Sequence, residues 1–443
     1  MNVDVFNPYN KMKMKLYSKW RHYSLSSFKS KLINLLLGLP NHSLTSEDTI
    51  EQLVKFEKFS IFFRASRFGF NQNVSHRRAK TDYYSLIMRA IGQINLIRMI
   101  CLIVIDDEDY QLYLGDFAYR TGYRSIINIL VTLCFLLGVV NSELINLYDK
   151  SGQFSAVKIY SDIINHGFDP LILQMTKSQA IAFHRTIHIL VTQLNRSFIS
   201  CCIFVQLCYY SLLILNPHFY QVKQLPLYSL AWSLVVMFVA FTLLGKYFAI
   251  FGYLFSIQAY AFFRLCSAVE LADSYRRFRC ITNEFAPSFI KFTFECLNQS
   301  EKCATLTRAI VLCVFTAIAF VGDLLIFYGF IMRFHSPLFA NSLGSLGCVV
   351  FIVIACLSFI ARQFKIKLER SHTHLQIIYR YNVFNVYNQF KFLQLMERLS
   401  EPNNGIQLGS ITTIGKDFFV VFMLEIGSSL MLFTCNFKQY FEH

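Results

Sequence analysis

The sequence predicts an all-α membrane protein: seven transmembrane helices, a cytoplasmic N-terminus, and cytoplasmic extensions of helices four to six. Three observations predict it. Hydrophobic residues make up 54% of the 443 residues and charged residues only 16%, against roughly 25% charge in an ordinary soluble domain. Apolar stretches near the ~20 residues needed to cross a bilayer recur along the chain. Lys and Arg are strongly biased between alternate connections.

Seven apolar segments stand out, at about 84–105, 124–144, 197–216, 226–252, 305–332, 343–361 and 415–437. Arg89 and Arg98 interrupt the first. Any one segment alone reads equally well as a buried core helix, but seven in one chain of this length do not. The division that follows is a cytoplasmic segment 1–83, a membrane region 84–361, a cytoplasmic anchor or oligomerisation segment 362–414, and a last helix with a short extracellular tail, 415–443. Residues 32–40 are apolar but too short for a crossing, and a basic stretch follows them, so the N-terminus is expected to stay attached and cytoplasmic.

The charges orient these segments. Residues 1–83 carry 14 Lys/Arg, and connections 145–196, 253–304 and 362–414 carry 5, 6 and 7. The opposite connections hold only Arg120, Lys223 and Arg333, with an acidic run at Asp106, Asp107, Glu108 and Asp109. Positive residues are retained on the cytoplasmic side. The N-terminus is therefore placed inside and the C-terminus outside. The net charge of +15 reads as contact with anionic lipid rather than nucleic acid.

Composition excludes disorder and a disulfide scaffold. None of the 13 cysteines falls in an outer connection, and no Cys-x-x-Cys pair suggests a metal site. Asn-x-Ser/Thr matches at Asn41, Asn73, Asn195 and Asn298 fall on or beside the cytoplasmic side and read as chance. His372 and His374 form an H-x-H without further ligands nearby. No phosphate-cradling glycine loop, nucleophile elbow or zinc-protease helix is present, so neither enzymatic activity nor a cofactor is expected. The inner connections stay aromatic and apolar, with Leu368, Leu375, Ile378 and Tyr379 at helical spacing in one of them, which predicts that helices four, five and six run on and pack together. Pro402 and Gly405 break that pattern before the last helix.

Seven crossings invite a G-protein-coupled receptor reading, and Asn216, Pro217 and Tyr220 supply its N-P-x-x-Y. That match sits after the third segment and on the outer side, where that family does not carry it. The chain instead resembles the insect chemoreceptor superfamily, specifically the gustatory receptors. Their signature, Thr-Tyr, five residues and Gln-Phe at the end of the last helix, corresponds here to Leu432, Phe433, Gln439 and Tyr440, with only the Gln retained. Length, topology and short tail agree. The resemblance implies a ligand-gated, non-selective cation channel in the plasma membrane of a sensory neuron dendrite. The implied assembly is a homo- or hetero-tetramer with other gustatory receptor subunits, opened by a small-molecule tastant. It also implies a pore lined by the last helix, subunit contacts from the inner extensions, and a ligand pocket in the outer half among helices two to six.

The last helix can be read without the family. Advancing about 100° per residue, Ser428, Ser429, Leu432, Asn436 and Gln439 all fall within about 60° of Glu425. Met423, Leu424, Ile426, Leu430, Met431 and Phe437 occupy the other face. A polar stripe at membrane depth must meet water or protein. It lines a pore, with Leu432 as constriction and Glu425 as a cation-favouring ring, or it packs against neighbouring helices. Asp323 is a second intramembrane acid: either it contacts ligand or it pairs with Arg98. Tyr209, Tyr210, Tyr228, Trp232, Phe327 and Tyr328 are outer-half aromatics that suit an organic ligand, and equally suit a membrane interface. Lys246 is expected to snorkel to water from the inner end of segment four. A metabotropic receptor acting through a cytoplasmic partner is the alternative. A transporter is disfavoured, because no paired Gly/Pro-broken segments mark two halves.

Overall fold

The structure is a computed structural model. It describes residues 43–66, 69–70, 83–121, 124–150, 156–216, 218–278, 286–333, 337–401, 405–409, 412–414 and 418–438, with residues 34 and 37–40 before them. Gln439, Tyr440, Asn41 and Asn73 lie outside the described residues, as do the side chains of Phe433 and Asn436.

Helix α1 spans Ser46–Phe62 within the segment expected to be only a cytoplasmic lead-in. Thr45 starts it through a capping box with Asp48, which satisfies two otherwise orphaned N–H groups. Its Leu53, Phe56 and Ser60 share one buried face. The apolar helices then follow in order. They are α2 (Tyr83–Val104), a short α3 (Glu108–Tyr113) and α4 (Arg124–Lys150), then the connecting α5 (Ala156–His166) and α6 (Pro170–Leu173). After these come α7 (Lys177–Leu215), a one-turn α8 (His218–Gln221), α9 (Leu225–Phe278), α10 (Ala286–Ile326) with a π-helical turn at Phe327–Ile331, and α11 (Pro337–Tyr381). The chain ends in α12 (Val386–Ser400), a hairpin of β1 (Gln407–Leu408) and β2 (Thr412–Thr413), and α13 (Phe418–Lys438).

Six of these helices, α2, α4, α7, α9, α10 with its π turn, and α11, are long and apolar enough to cross a membrane. The chain is thus a helical, multi-pass membrane protein. The seventh expected segment, α13, has 21 helical residues, but its described apolar run, Phe418–Leu432, is shorter.

Helix length carries the architecture. At 1.5 Å per residue, the 54 residues of α9 extend about 81 Å, against ~30 Å of hydrocarbon. The 41 residues of α10 and 45 of α11 also overrun the slab. Extensions were expected for these three. The third membrane helix extends as well: α7 has 39 residues and starts at Lys177, not near 197. Short connections (216–224, 332–336) join these helices at one end, here termed the cap end. The overrunning parts gather at the other, the bundle end. The expected boundary at 361/362 falls inside the continuous helix α11.

The main core lies in the bundle end, where α1, α5, α7, α9, α10, α11 and α12 bury Phe56, Tyr160, Phe183, Tyr253, Leu265 and Phe392. Tyr253 donates to Ser60 Oγ at 2.7 Å, and Tyr160 hydrogen-bonds Ser256, so the buried hydroxyls are satisfied. Glycine sets the approach of α1 to α9: a Cβ on Gly252 would stand 2.5 Å from the Phe56 ring. The contact at the other end is tighter. A Cβ on Gly329, in the π turn, would come 2.1 Å from the Gly344 nitrogen of α11. The hairpin pairs Gln407 with Thr413 and Leu408 with Thr412, and Gly409 N donates to Arg308 O at 3.0 Å, tying the start of α13 to α10.

Candidate functional site

The cap end is built by residues 105–121, which fold over the ends of α2, α4 and α9. Asp107 caps α3 by accepting from Asp109 N at 2.9 Å. Gly115, at φ +62°, turns the chain where a Cβ would meet the Tyr228 carbonyl at 2.9 Å. Arg98, only 3% exposed, donates to the carbonyls of Leu114 (2.7 Å) and Gly115 (2.9 Å). Its guanidinium lies over Trp232, 4.8 Å from the ring centroid. Arg98 is therefore committed to the cap, and the expected pairing with Asp323 is not made. A planar five-donor fork serves two carbonyls and an aromatic face at once, which no lysine does.

Asp116 is the hub of the same cap. Fully buried, it accepts from Arg124 Nε at 2.5 Å and from Asn128 at 3.3 Å, and from Ala118 N at 2.9 Å. Arg124 also donates to Leu102 O at 2.6 Å. Sequence reasoning missed this hub. Its signal was an acid within the apolar second half of the connection, with Arg eight positions on. Asn216, from the misleading N-P-x-x-Y, clamps the connections together by donating to Phe117 O and Tyr119 O, both at 3.2 Å. Farther out, Glu108 takes a hydrogen bond from Arg120, which holds its carboxyl below the usual range.

The expected aromatic candidates divide into two groups. Tyr228 and Trp232 serve the cap: Tyr228 meets Tyr113 edge-on at 5.2 Å, and Trp232 Nε1 donates to Tyr113 O at 3.0 Å. Tyr209, Tyr210 and Tyr328 pack below it on a common cluster with Phe117 and Ile127. Tyr210 OH points to Met237 Sδ at 2.9 Å. Tyr209 also borders a cavity of about 40 Å³ between α7 and α9, lined by Met237 and Phe241. Phe327 is buried and starts the π turn, with its ring 5.8 Å from Tyr328.

Asn95 Nδ2, Thr132 Oγ1 and Asp323 Oδ1 are among the buried polar atoms that lack a hydrogen-bond partner among the described residues. They sit on α2, α4 and α10, each eight or nine residues from the cap end of its helix, so all three lie at one level about 12–14 Å in. An unmet polar atom at that depth costs about 1–3 kcal/mol, more for a charge. A polar ligand or water at this level would meet them. Asp323 is 7% exposed.

The last helix is the opposite case. Ile426 is buried, and Phe418, Phe422 and Leu430 pack beside it against α10 and α11. Glu425 and Ser428 are exposed, Leu432 is 63% exposed, and Ser429 is half-buried. The predicted stripe therefore lies on the unpacked side. On the opposite face Met423, Leu424 and Met431 are exposed too, because the packing face centres on Ile426 rather than on all the large apolar residues.

Lys246 does not snorkel. It is 5% exposed and donates to Ser142 Oγ at 2.8 Å and Asn146 Oδ1 at 3.3 Å on α4. Nearby, Arg89 pairs with Glu143, which explains how an arginine is accommodated in the first apolar segment. His374, half of the H-x-H, stands 3.9 Å from Asp273. Among the described residues no group of three or more His, Cys, Asp or Glu could hold a metal.

No protein-family model matches the chain, and no curated protein matches it either.

Proposed function

We propose that the chain is a subunit of a ligand-gated, non-selective cation channel of the insect gustatory-receptor type. In this reading α13 is the seventh crossing, the bundle end is cytoplasmic, and the α13 helices of several copies, a tetramer in the family, surround one pore in the plasma membrane of a sensory neuron. The observation that carries it is Glu425. Its carboxylate is exposed about 10 Å along an apolar helix, where a lone subunit would present it to lipid. Ser428 continues the same exposed side. An assembly that turns this side toward a shared aqueous path removes the cost, and a ring of carboxylates favours cations. Leu432 then supplies the apolar constriction, and Asn436 and Gln439 lie toward the mouth.

A second feature supports assembly. On α12, Val386, Tyr387, Phe390 and Leu393 are exposed at helical spacing, beyond the slab, where they meet water unless another copy covers them. The tastant would bind near the cap end, where Asp323, Asn95 and Thr132 have unmet polar atoms at one level and Tyr209 and Tyr328 offer aromatic faces. Trp232, Tyr228, Tyr210 and Phe327 shape the surroundings.

Glu425→Gln tests the reading. Ligand-evoked current in excised patches should persist, with cation-over-anion preference reduced several-fold. Unchanged permeability would remove Glu425 from selectivity. Current seen only in intact cells would favour the metabotropic alternative.

A further inference from the structure

Where the bundle end leaves the membrane, α9, α10 and α11 enclose a cavity of about 300 Å³. Phe255 and Phe262, Val314 and Phe315, and Ala361 and Phe364 form its walls. Two polar side chains are among its lining residues, and both are engaged elsewhere. Thr186 Oγ1 donates to Ala182 O at 2.9 Å, and Gln258 Nε2 donates to Thr307 Oγ1 at 3.0 Å. Water inside would find few partners, and a dry apolar space of this size accepts hydrocarbon. The cavity is open at Ile360, which is 48% exposed beside an equally apolar and exposed Phe359.

Depth decides the source of that hydrocarbon. Val311 of α10 and Leu357 of α11 each lie about 20 residues, or about 30 Å, from the cap ends of their helices, which is one hydrocarbon thickness. Phe315 of α10 lies nearer the cap end, at about 24 Å, and Phe251 and Phe263 of α9 farther from it, at about 39 and 57 Å, so the cavity straddles the headgroup boundary of the farther leaflet. Cations stand there too: Arg308 one turn before Val311, and Arg362 directly after Ala361. We propose that this cavity holds one acyl chain of a membrane phospholipid, with its phosphate near Arg308 and Arg362, and that the bound chain sets the position of α13.

The coupling is physical contact. Ile406 and Ile414 line the cavity and flank the hairpin, where Ile414 N donates to Ile406 O at 2.9 Å. Phe315, a wall residue, lies 6.1 Å from both Phe418 and Phe422, centroid to centroid. A chain in the cavity therefore touches the element that starts α13 and the ring that α13 packs on. Only this effect on α13 rests on the channel reading. Occupancy does not.

The test uses the full chain in nanodiscs containing a phospholipid with a photoreactive group at mid-chain. Labelling should concentrate on peptides containing residues 251–263, 311–315 and 357–364. It should fall at least ten-fold in Ala361→Phe, which fills the space, and in Ile360→Trp, which blocks the open rim without disturbing the core. Labelling spread evenly over exposed apolar helix faces and unchanged by both variants overturns the proposal. So does labelling by free fatty acid but not by phospholipid, or a disulfide between copies through Ile360→Cys, which would mean that a neighbouring subunit fills the site. Ligand-evoked current is read separately on the same variants, and each should shift the half-maximal ligand concentration by at least three-fold. Site-specific labelling without any current in the unmodified chain refutes the channel and leaves the lipid site standing. Normal current without site-specific labelling refutes the lipid site alone.

Discussion

The bundle end and the last helix handle apolar surface in opposite ways. The bundle end encloses the large side chains of its core: Phe56, Tyr160, Tyr253 and Phe392 are fully buried, and the two tyrosine hydroxyls find partners within the chain. Helix α13 buries Ile426 and leaves Leu424, Met431 and Leu432 exposed beside a carboxylate. One region closes its core within a single copy and leaves only an outer face, such as Val386, Tyr387 and Phe390 of α12, uncovered. The other is stable only where lipid, water or another copy supplies what the chain does not. A segment that packs weakly on the rest of its chain is free to move against it, which is what the proposed channel reading requires of α13.

The largest effect expected from this contrast is on stability. Phe56→Ala removes a ring that packs against Phe59, Tyr160 and Tyr253, and should cost about 3–5 kcal/mol. Leu432→Ala should stay within about 0.5 kcal/mol, since the side chain is mostly exposed. Thermal unfolding in detergent measures both. Equal losses would erase the distinction, because α13 would then be as firmly built in as the bundle.

The π turn comes next. Gly329 lets α10 approach α11 so closely that a methyl group has no room. Gly329→Ala should force the helices apart at a cost of about 1–3 kcal/mol. Phe327 and Tyr328 belong to the same turn, so under the proposed channel reading ligand sensitivity should change along with stability. A variant that lost neither would show that the close approach is incidental.

Asp323 sharpens the comparison in the other direction. With one buried oxygen unpartnered, Asp323→Leu, which removes it at similar volume, should raise stability by about 1–3 kcal/mol while weakening any cationic or polar ligand. A drop in stability would mean that the carboxylate has a partner inside the subunit.

The membrane helices were legible because long apolar runs carry little charge. Their extensions were less so. In α7, Lys177, Arg185 and Arg196 recur every few turns, so average hydropathy falls while the helix continues unbroken. Helix α1 was announced by Thr45 and Asp48 at capping-box spacing, a short signal within a basic segment that otherwise suggested a tail. The Glu425 stripe was readable from period alone, because polar residues at helical spacing stand out against hydrocarbon. Its packing partner was not, since Ile426, Leu424 and Met431 are equally apolar and only the tertiary fold chooses between them. Asp323 stood out as one candidate partner for Arg98 because carboxylates are visible in a sequence, whereas the carbonyls of Leu114 and Gly115 that Arg98 binds are not.

The smallest expected effect lies at the rim of the cap. Arg120 holds the Glu108 carboxyl below its ordinary range through a hydrogen bond, in an exposed pair. A carboxyl depressed by folding stabilises the folded state above its unfolded pKa and loses that contribution as pH falls through the folded value. Unfolding temperature should therefore differ slightly between the unmodified chain and Glu108→Gln near neutral pH, and the two should converge in acid. High salt should shrink the difference as well, because exposed pairs are screened. A gap that widened as pH fell would place the pair's contribution on the protonated carboxyl, and would make the cap rim a hydrogen-bonded structure rather than an ionic one.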